Sequence, residues 1–160
     1  MPRYRLTLEY DGTNFVGWQR QAIDASVQAC LEAAIERYSG EPAAAVAAGR
    51  TDAGVHALGQ VVHVDMARSR ACDEIRDAVN FHLRPDPIAV LDVAETAPAF
   101  HARFAAIRRA YRYRIVNRRA PLTVDRNRAW RVVPPLDAEA MQLAARCLLG
   151  RHDFTSFRSA

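Results

Sequence analysis

At 160 residues the chain can form one large domain or two small ones, with a core that needs no disulfide or metal staple. Half of the residues are apolar and a quarter are charged, as in a globular protein, and no apolar run approaches the roughly 20 residues that span a bilayer. The net charge of +4 is carried without lysine, by 22 arginines against 18 acids, and their distribution points toward a polyanionic partner.

In chain order, residues 4–10 alternate, with Tyr4, Leu6, Leu8 and Tyr10 on one side and Arg5, Thr7 and Glu9 on the other, which predicts a half-buried strand. Asp11-Gly12-Thr13-Asn14 ends it with turn chemistry, and Phe15, Val16 and Trp18 gather around Gly17. Ser26 is placed to cap a helix in which Val27, Leu31, Ala34, Ile35 and Tyr38 share a face, with Gly40 as its stop. A short Ala/Val run at 43–48 reads as a second strand, and residues 60–65 as a third. Between them lies Gly49-Arg50-Thr51-Asp52-Ala53-Gly54-Val55-His56, a glycine-flanked loop holding a cation, a hydroxyl and one carboxylate. Asp73 is expected to cap a second helix with Ile75, Val79 and Leu83 inward, ended by Pro85 and Pro87. Residues 88–93 supply a fourth strand.

This order, β-α-β-β-α-β, predicts an α+β fold with a ferredoxin-like or RRM-like antiparallel sheet. Helices cover one face of such a sheet and leave the other free, as RNA-binding domains often use it. We assign residues 1–97 to this first domain and 98–160 to a basic strand, loop and helix that begin a second, incomplete one. In the latter, Tyr111, Tyr113 and Ile115 alternate with Arg112 and Arg114 as a strand, and residues 129–133 suggest another. Asp137 caps a final helix with Met141, Ala144 and Leu148 inward, Leu136 and Met141 as a hydrophobic staple, and Gly150 as its stop.

Residues 1–102 hold 9 arginines and 14 acids, whereas residues 103–131 hold 10 arginines and the single acid Asp125. Arginines clustered among aromatics favour nucleic acid over a merely solvated face. Cys30, Cys72 and Cys147 are too scattered for a zinc site or disulfide framework, and Cys30 and Cys147 read as core thiols. The five histidines form no ligand pair, so we expect no metal and no cofactor. The N-terminus enters the first strand with no signal-peptide core, which makes the cytoplasm the expected location, with no membrane partner.

The loop at 49–56 resembles the signature of the tRNA pseudouridine synthase A family. So do Tyr10-Asp11-Gly12-Thr13-Asn14-Phe15-Val16-Gly17-Trp18-Gln19-Arg20 before it and Gly59-Gln60-Val61-Val62-His63 after it. Phe100-His101-Ala102-Arg103-Phe104, Tyr111-Arg112-Tyr113 and Asp153-Phe154-Thr155-Ser156-Phe157 continue the resemblance in the family's order. It implies a pseudouridine synthase-type fold and an isomerase that converts uridine to pseudouridine in the anticodon arm of tRNA. Asp52 matches the catalytic aspartate, and Tyr111 the tyrosine that stacks on the target base. Arg50 matches the arginine that holds the flipped nucleotide or its phosphate, and Arg103 is carried as a further substrate-binding residue. Family members act as homodimers. They continue past the block at 153–157 into a second half that brings an arginine to the catalytic aspartate, so a truncated fold and an inactive fragment are expected here. Taken alone, Asp52 would read as a turn residue, Tyr111 as a buried strand aromatic, and His56 as a structural donor to a backbone carbonyl. Asp11 reads as a turn former and Trp18 as core. The alternative function is a non-catalytic RNA-binding module on the same sheet; an acid–base hydrolase lacks a second carboxylate or a nucleophile–histidine pair.

Overall fold

The computed structural model describes residues 1–157, arranged as two compact units, residues 1–111 and residues 112 onward. In the first, β1 (Arg3–Tyr10) is the centre of a four-stranded sheet with β2 (Val46–Ala47), β3 (Ala57–Asp65) and β4 (Ile88–Thr96), in the order β2-β3-β1-β4 with every neighbour antiparallel. The alternation in β1 sets this out: Tyr4, Leu6, Leu8 and Tyr10 are buried, opposite Val64 and Val62 of β3 and Val93 and Val90 of β4. Helices α1 (Val27–Ser39) and α2 (Cys72–Leu83) close that face with Val27, Leu31, Ala34 and Ile35 from one and Ile75, Val79 and Leu83 from the other. Each fully buried leucine or isoleucine contributes about 1.5–3 kcal/mol, against at most ~1 kcal/mol for an exposed ion pair such as Arg5–Asp92. Packing, not pairing, therefore holds β1 in place.

The ends of the elements follow local chemistry. Ser26 caps α1 by accepting from the Ala29 N–H, and Gly40 closes it in the left-handed conformation. Helix α2 begins two residues earlier than expected, after Ala71. Asp73 is not its cap but lies in its first turn, where its carboxylate pairs with Arg76 at 2.8 Å and favours the helix N-terminus. Strand β2 is shorter than the alanine run at 43–48. Alanine gives a strand little side chain to pack, and the Ala45 N–H is taken instead by the Glu32 carboxylate at 2.9 Å. Strand β3 is longer than expected, because an extra residue between its pairings at Gln60 and Ala57 makes a bulge at Leu58–Gly59, beside the charged loop.

Glu32 is a feature that hydrophobic periodicity does not reveal. It is 8% exposed on α1 and accepts from Arg20, Gln28 and Ala45, tying the segment after Trp18 and the approach to β2 onto one helix. Glu32→Ala leaves a buried N–H without an acceptor, and we expect it to cost about 2 kcal/mol in urea unfolding. Arg20→Ala removes the more exposed member of its pair and leaves Glu32 the donors from Gln28 and Ala45, so it should cost less.

The second unit differs from its sequence pattern. Residues 111–114 do not form a strand, and Tyr111 and Tyr113 are exposed rather than half-buried. Alternation describes side chains, but a strand also needs a partner edge for its N–H and C=O groups. That edge exists only for β5 (Ile115–Asn117), which pairs in parallel with β6 (Trp130–Val132). The Asn117 side chain donates to Val132 and Pro134 carbonyls and accepts from the Leu136 N–H, leading into α3 (Ala138–Arg146). Asp137 caps α3 through the Ala140 N–H, as its position foretold. The helix stops at Arg146 with Cys147 as its C-cap, before Gly150. No residue of 112–157 is buried: Met141 and Leu148 are exposed, and Cys147 is not a core thiol. Among the described residues no layer within this unit covers that apolar face. Cys30, by contrast, packs against the first unit's core, where burial pushes its thiol up to about 11.

Candidate functional site

The loop at 49–56 leaves β2, passes the tip of β1 and enters β3, and it is clamped along its length. The Gln60 amide donates to the Gly49 carbonyl at 2.6 Å, and the Tyr10 hydroxyl meets the Thr51 hydroxyl at 2.8 Å. The segment after β1 then grips the backbone: Trp18 N–H to the Thr51 carbonyl at 2.9 Å, and Gly54 N–H to the Phe15 carbonyl at 3.2 Å. Asp52 itself closes a turn through its carbonyl, which accepts from the Val55 N–H at 3.2 Å. Two glycines make this approach possible. A β-carbon on Gly12 would lie 2.1 Å from the Val55 carbonyl oxygen, and one on Gly17, at φ 114°, 2.5 Å from that of Thr51.

His56 serves structure: its Nδ1 accepts from the Gly12 N–H at 3.1 Å and lies 3.1 Å from an Asp11 carboxylate oxygen. Asp11 is the expected turn former, accepting from the Thr13 N–H, and Trp18 is core. Burial raises the Tyr10 phenol, opposed by its hydrogen bonds to Thr51 and Gln60 and aided by Tyr111 nearby, so it stays protonated beside the loop.

Asp52, within this clamp, is exposed. Among the described residues neither its carboxylate nor the guanidinium groups of Arg50 and Arg103 have a hydrogen-bond or ion-pair partner. A clamped backbone with a free, solvent-facing carboxylate is an arrangement for meeting a ligand. Tyr111 is 70% exposed, and its hydroxyl oxygen lies 3.8 Å from where a β-carbon on Gly49 would stand, which brings the tyrosine to the root of the loop.

Arg103 is delivered by a second device. Arg3 forms a two-pronged pair with Asp65, both contacts at 2.7 Å, and also donates to the Phe100 carbonyl. His63, beside Asp65 on the sheet face opposite the helices, accepts at Nδ1 from the Ala102 N–H at 3.2 Å. Residues 100–104 therefore cover part of the face expected to be free, and bury His63 to 5% exposure. Burial, then the Arg3 guanidinium and His101 at 4.8 Å between ring centres, hold the His63 pKa below its usual value, with Asp65 opposing. The unfolded chain therefore takes up this proton first. Stability should be complete above about pH 6.5, the usual value for a free histidine, and decline as pH falls toward the lower folded value. Asp65 is depressed by Arg3, so its own contribution is lost only at more acidic pH. Melting temperatures measured between pH 7 and 5 should show a decline that is smaller in His63→Gln.

The residues that sequence reasoning missed are Tyr10, Gln60 and Arg109. Tyr10 and Gln60 read as an ordinary inward aromatic and a polar strand residue, and nothing in the pattern separates Arg109 from the nine other arginines of 103–131. Among the described residues no group of three or more histidine, cysteine, aspartate or glutamate side chains is placed to hold a metal ion, and no helix is long and apolar enough to cross a membrane.

Comparison with known proteins bears on this loop directly. A family model described as tRNA pseudouridine synthase matches residues 7–105, which include the second half of β1, the clamp and the whole loop. A protein of Maricaulis maris named tRNA pseudouridine synthase A is 58% identical over 160 residues, all of this chain and 64% of the relative. Proteins of the same name from Azorhizobium caulinodans and Paramagnetospirillum magneticum are each 59% identical over 160 residues, again all of this chain and 62% of theirs. The chain thus spans somewhat under two thirds of the length of these relatives.

Proposed function

The chain belongs to the tRNA pseudouridine synthase family, and from that premise we propose that the protein carrying it isomerises uridine to pseudouridine in the anticodon stem-loop of tRNA, with Asp52 as the catalytic residue. In this reaction the N1–C1′ bond of the target uridine breaks, the uracil turns, and a C5–C1′ bond forms. C5 gives up its proton and N1 gains one. The change is redox-neutral and can be carried by one carboxylate and one acid–base group.

The observation that carries this proposal is the free carboxylate of Asp52 on a clamped loop with Tyr111 at its root. A uridine in a stem must first be extruded, at a cost of a few kcal/mol. Stacking on Tyr111, at ~1–3 kcal/mol per base, and phosphate contacts from Arg50 and Arg103 offset that cost. The strand order β2-β3-β1-β4 supports the ferredoxin-like, RRM-like topology, with the loop at one end of the sheet. The active form is a homodimer of the full-length protein, working in the cytoplasm.

Release of tritium from C5-labelled tRNA by the full-length protein tests the proposal. Release should require the anticodon arm and should be matched by pseudouridine in the product. The competing reading, a non-catalytic RNA-binding module, draws on the ten arginines at 103–131. It predicts salt-sensitive tRNA binding with no tritium release at any enzyme concentration.

A further inference from the structure

We propose that Arg109 is a positioning residue that sets Tyr111 and the residue-103 backbone against the root of the catalytic loop. The proposal rests on the reading that Tyr111 meets the target base. Arg109 reaches 61 residues back along the chain to donate from Nε and Nη2 to the Ala48 carbonyl, at 3.1 and 2.7 Å. The same Nη2 also donates to the Arg103 carbonyl at 3.0 Å. One planar fork, carried two residues ahead of Tyr111, thus joins the last residue before the loop to the backbone at Arg103. Gly49 leaves the space: a β-carbon there would stand 3.4 Å from Arg109 Nε and 3.8 Å from the Tyr111 hydroxyl oxygen.

Residues 106–114 lie in no helix or strand, so no ladder of backbone bonds fixes where Tyr111 lies. Arg109 takes the place of that ladder. Its Nε and Nη2 donors are occupied by backbone carbonyls, unlike those of Arg50 and Arg103, so that edge of the guanidinium is committed to holding the backbone rather than a phosphate. A guanidinium suits the task because its donors diverge in one rigid plane, whereas an ammonium is a point charge.

The experiment uses the full-length protein with Asp52→Asn, Arg109→Ala, Arg109→Lys, Tyr111→Ala and the double variant Arg109→Ala/Tyr111→Ala. Single-turnover rates, tRNA Kd and its salt dependence, and melting temperature are measured for each. Arg109→Ala should lower the rate by ~10- to 100-fold, the scale of a displacement near 1 Å, while Kd and its salt slope hold. Arg109→Lys should recover only part of the rate. In the Tyr111→Ala background, Arg109→Ala should cost little further, because the two act as a unit.

Four results overturn the proposal: a full rate with Arg109→Lys, effects of Arg109 and Tyr111 that multiply independently, a weaker Kd with a shallower salt slope, or a rate loss that merely follows the melting temperature. Activity that persists in Asp52→Asn instead overturns the functional reading itself, so the two failures are distinguishable.

Discussion

Asp52→Asn in the full-length protein should reduce tritium release from tRNA by about 10³-fold or more while leaving the fold intact. The two halves of that expectation have separate causes. Asparagine keeps the size and the backbone carbonyl, which is the atom that accepts from Val55 and closes the turn. The carboxylate is exposed and has no partner among the described residues, so its loss should change stability by no more than ~0.5 kcal/mol. What disappears is the anionic oxygen that can bond to, or take a proton from, the target nucleotide. A paired measurement of rate and melting temperature checks both halves. A variant that keeps wild-type release would sink Asp52 as the catalytic residue.

Gly12→Ala should be the most damaging single methyl group in the first unit. Elsewhere such a change gains ~0.4–1 kcal/mol by restricting the unfolded chain. Here the added carbon would stand 2.1 Å from the Val55 carbonyl oxygen and 2.6 Å from its carbon. Both atoms are backbone, so no side-chain rotation relieves the clash. Either the 3-10 turn at Gly12–Asn14 or the end of the 49–56 loop must move. Moving either also strains the Gly12 N–H contact to His56, so the net cost should be about 3 kcal/mol, at the upper end for overpacking. Because the displaced backbone is three residues from Asp52, the rate should fall by ~10²-fold as well. Urea unfolding and single-turnover kinetics on one preparation measure the two effects. Gly17→Ala, with its positive φ and a 2.5 Å approach to Thr51, should resemble it, whereas an alanine at Gly40 meets no neighbouring atom within 4 Å and carries only the cost of its left-handed conformation.

Periodicity and local chemistry carry part of this structure without any long-range contact. The alternation of residues 4–10, the faces of α1 and α2, the Ser26 and Asp137 caps and the antiparallel α+β character were all legible. Each depends on residues close together in the chain, and ordered motif blocks pointed to the family in the same way. How distant pieces support one another depends on contacts between residues far apart in the chain. The motif beginning at Tyr10 grips the loop through backbone atoms, which no residue type announces, and Glu32 is buried because three donors from different segments converge on it. The same dependence on partners explains the corrections. Residues 111–114 carry a strand's pattern but form no strand, and α3 has an amphipathic pattern that no layer among the described residues of its own unit covers. A pattern states which side of an element seeks burial; whether anything meets it is settled by long-range contacts, and those placed Tyr111 and Arg109 at the root of the Asp52 loop.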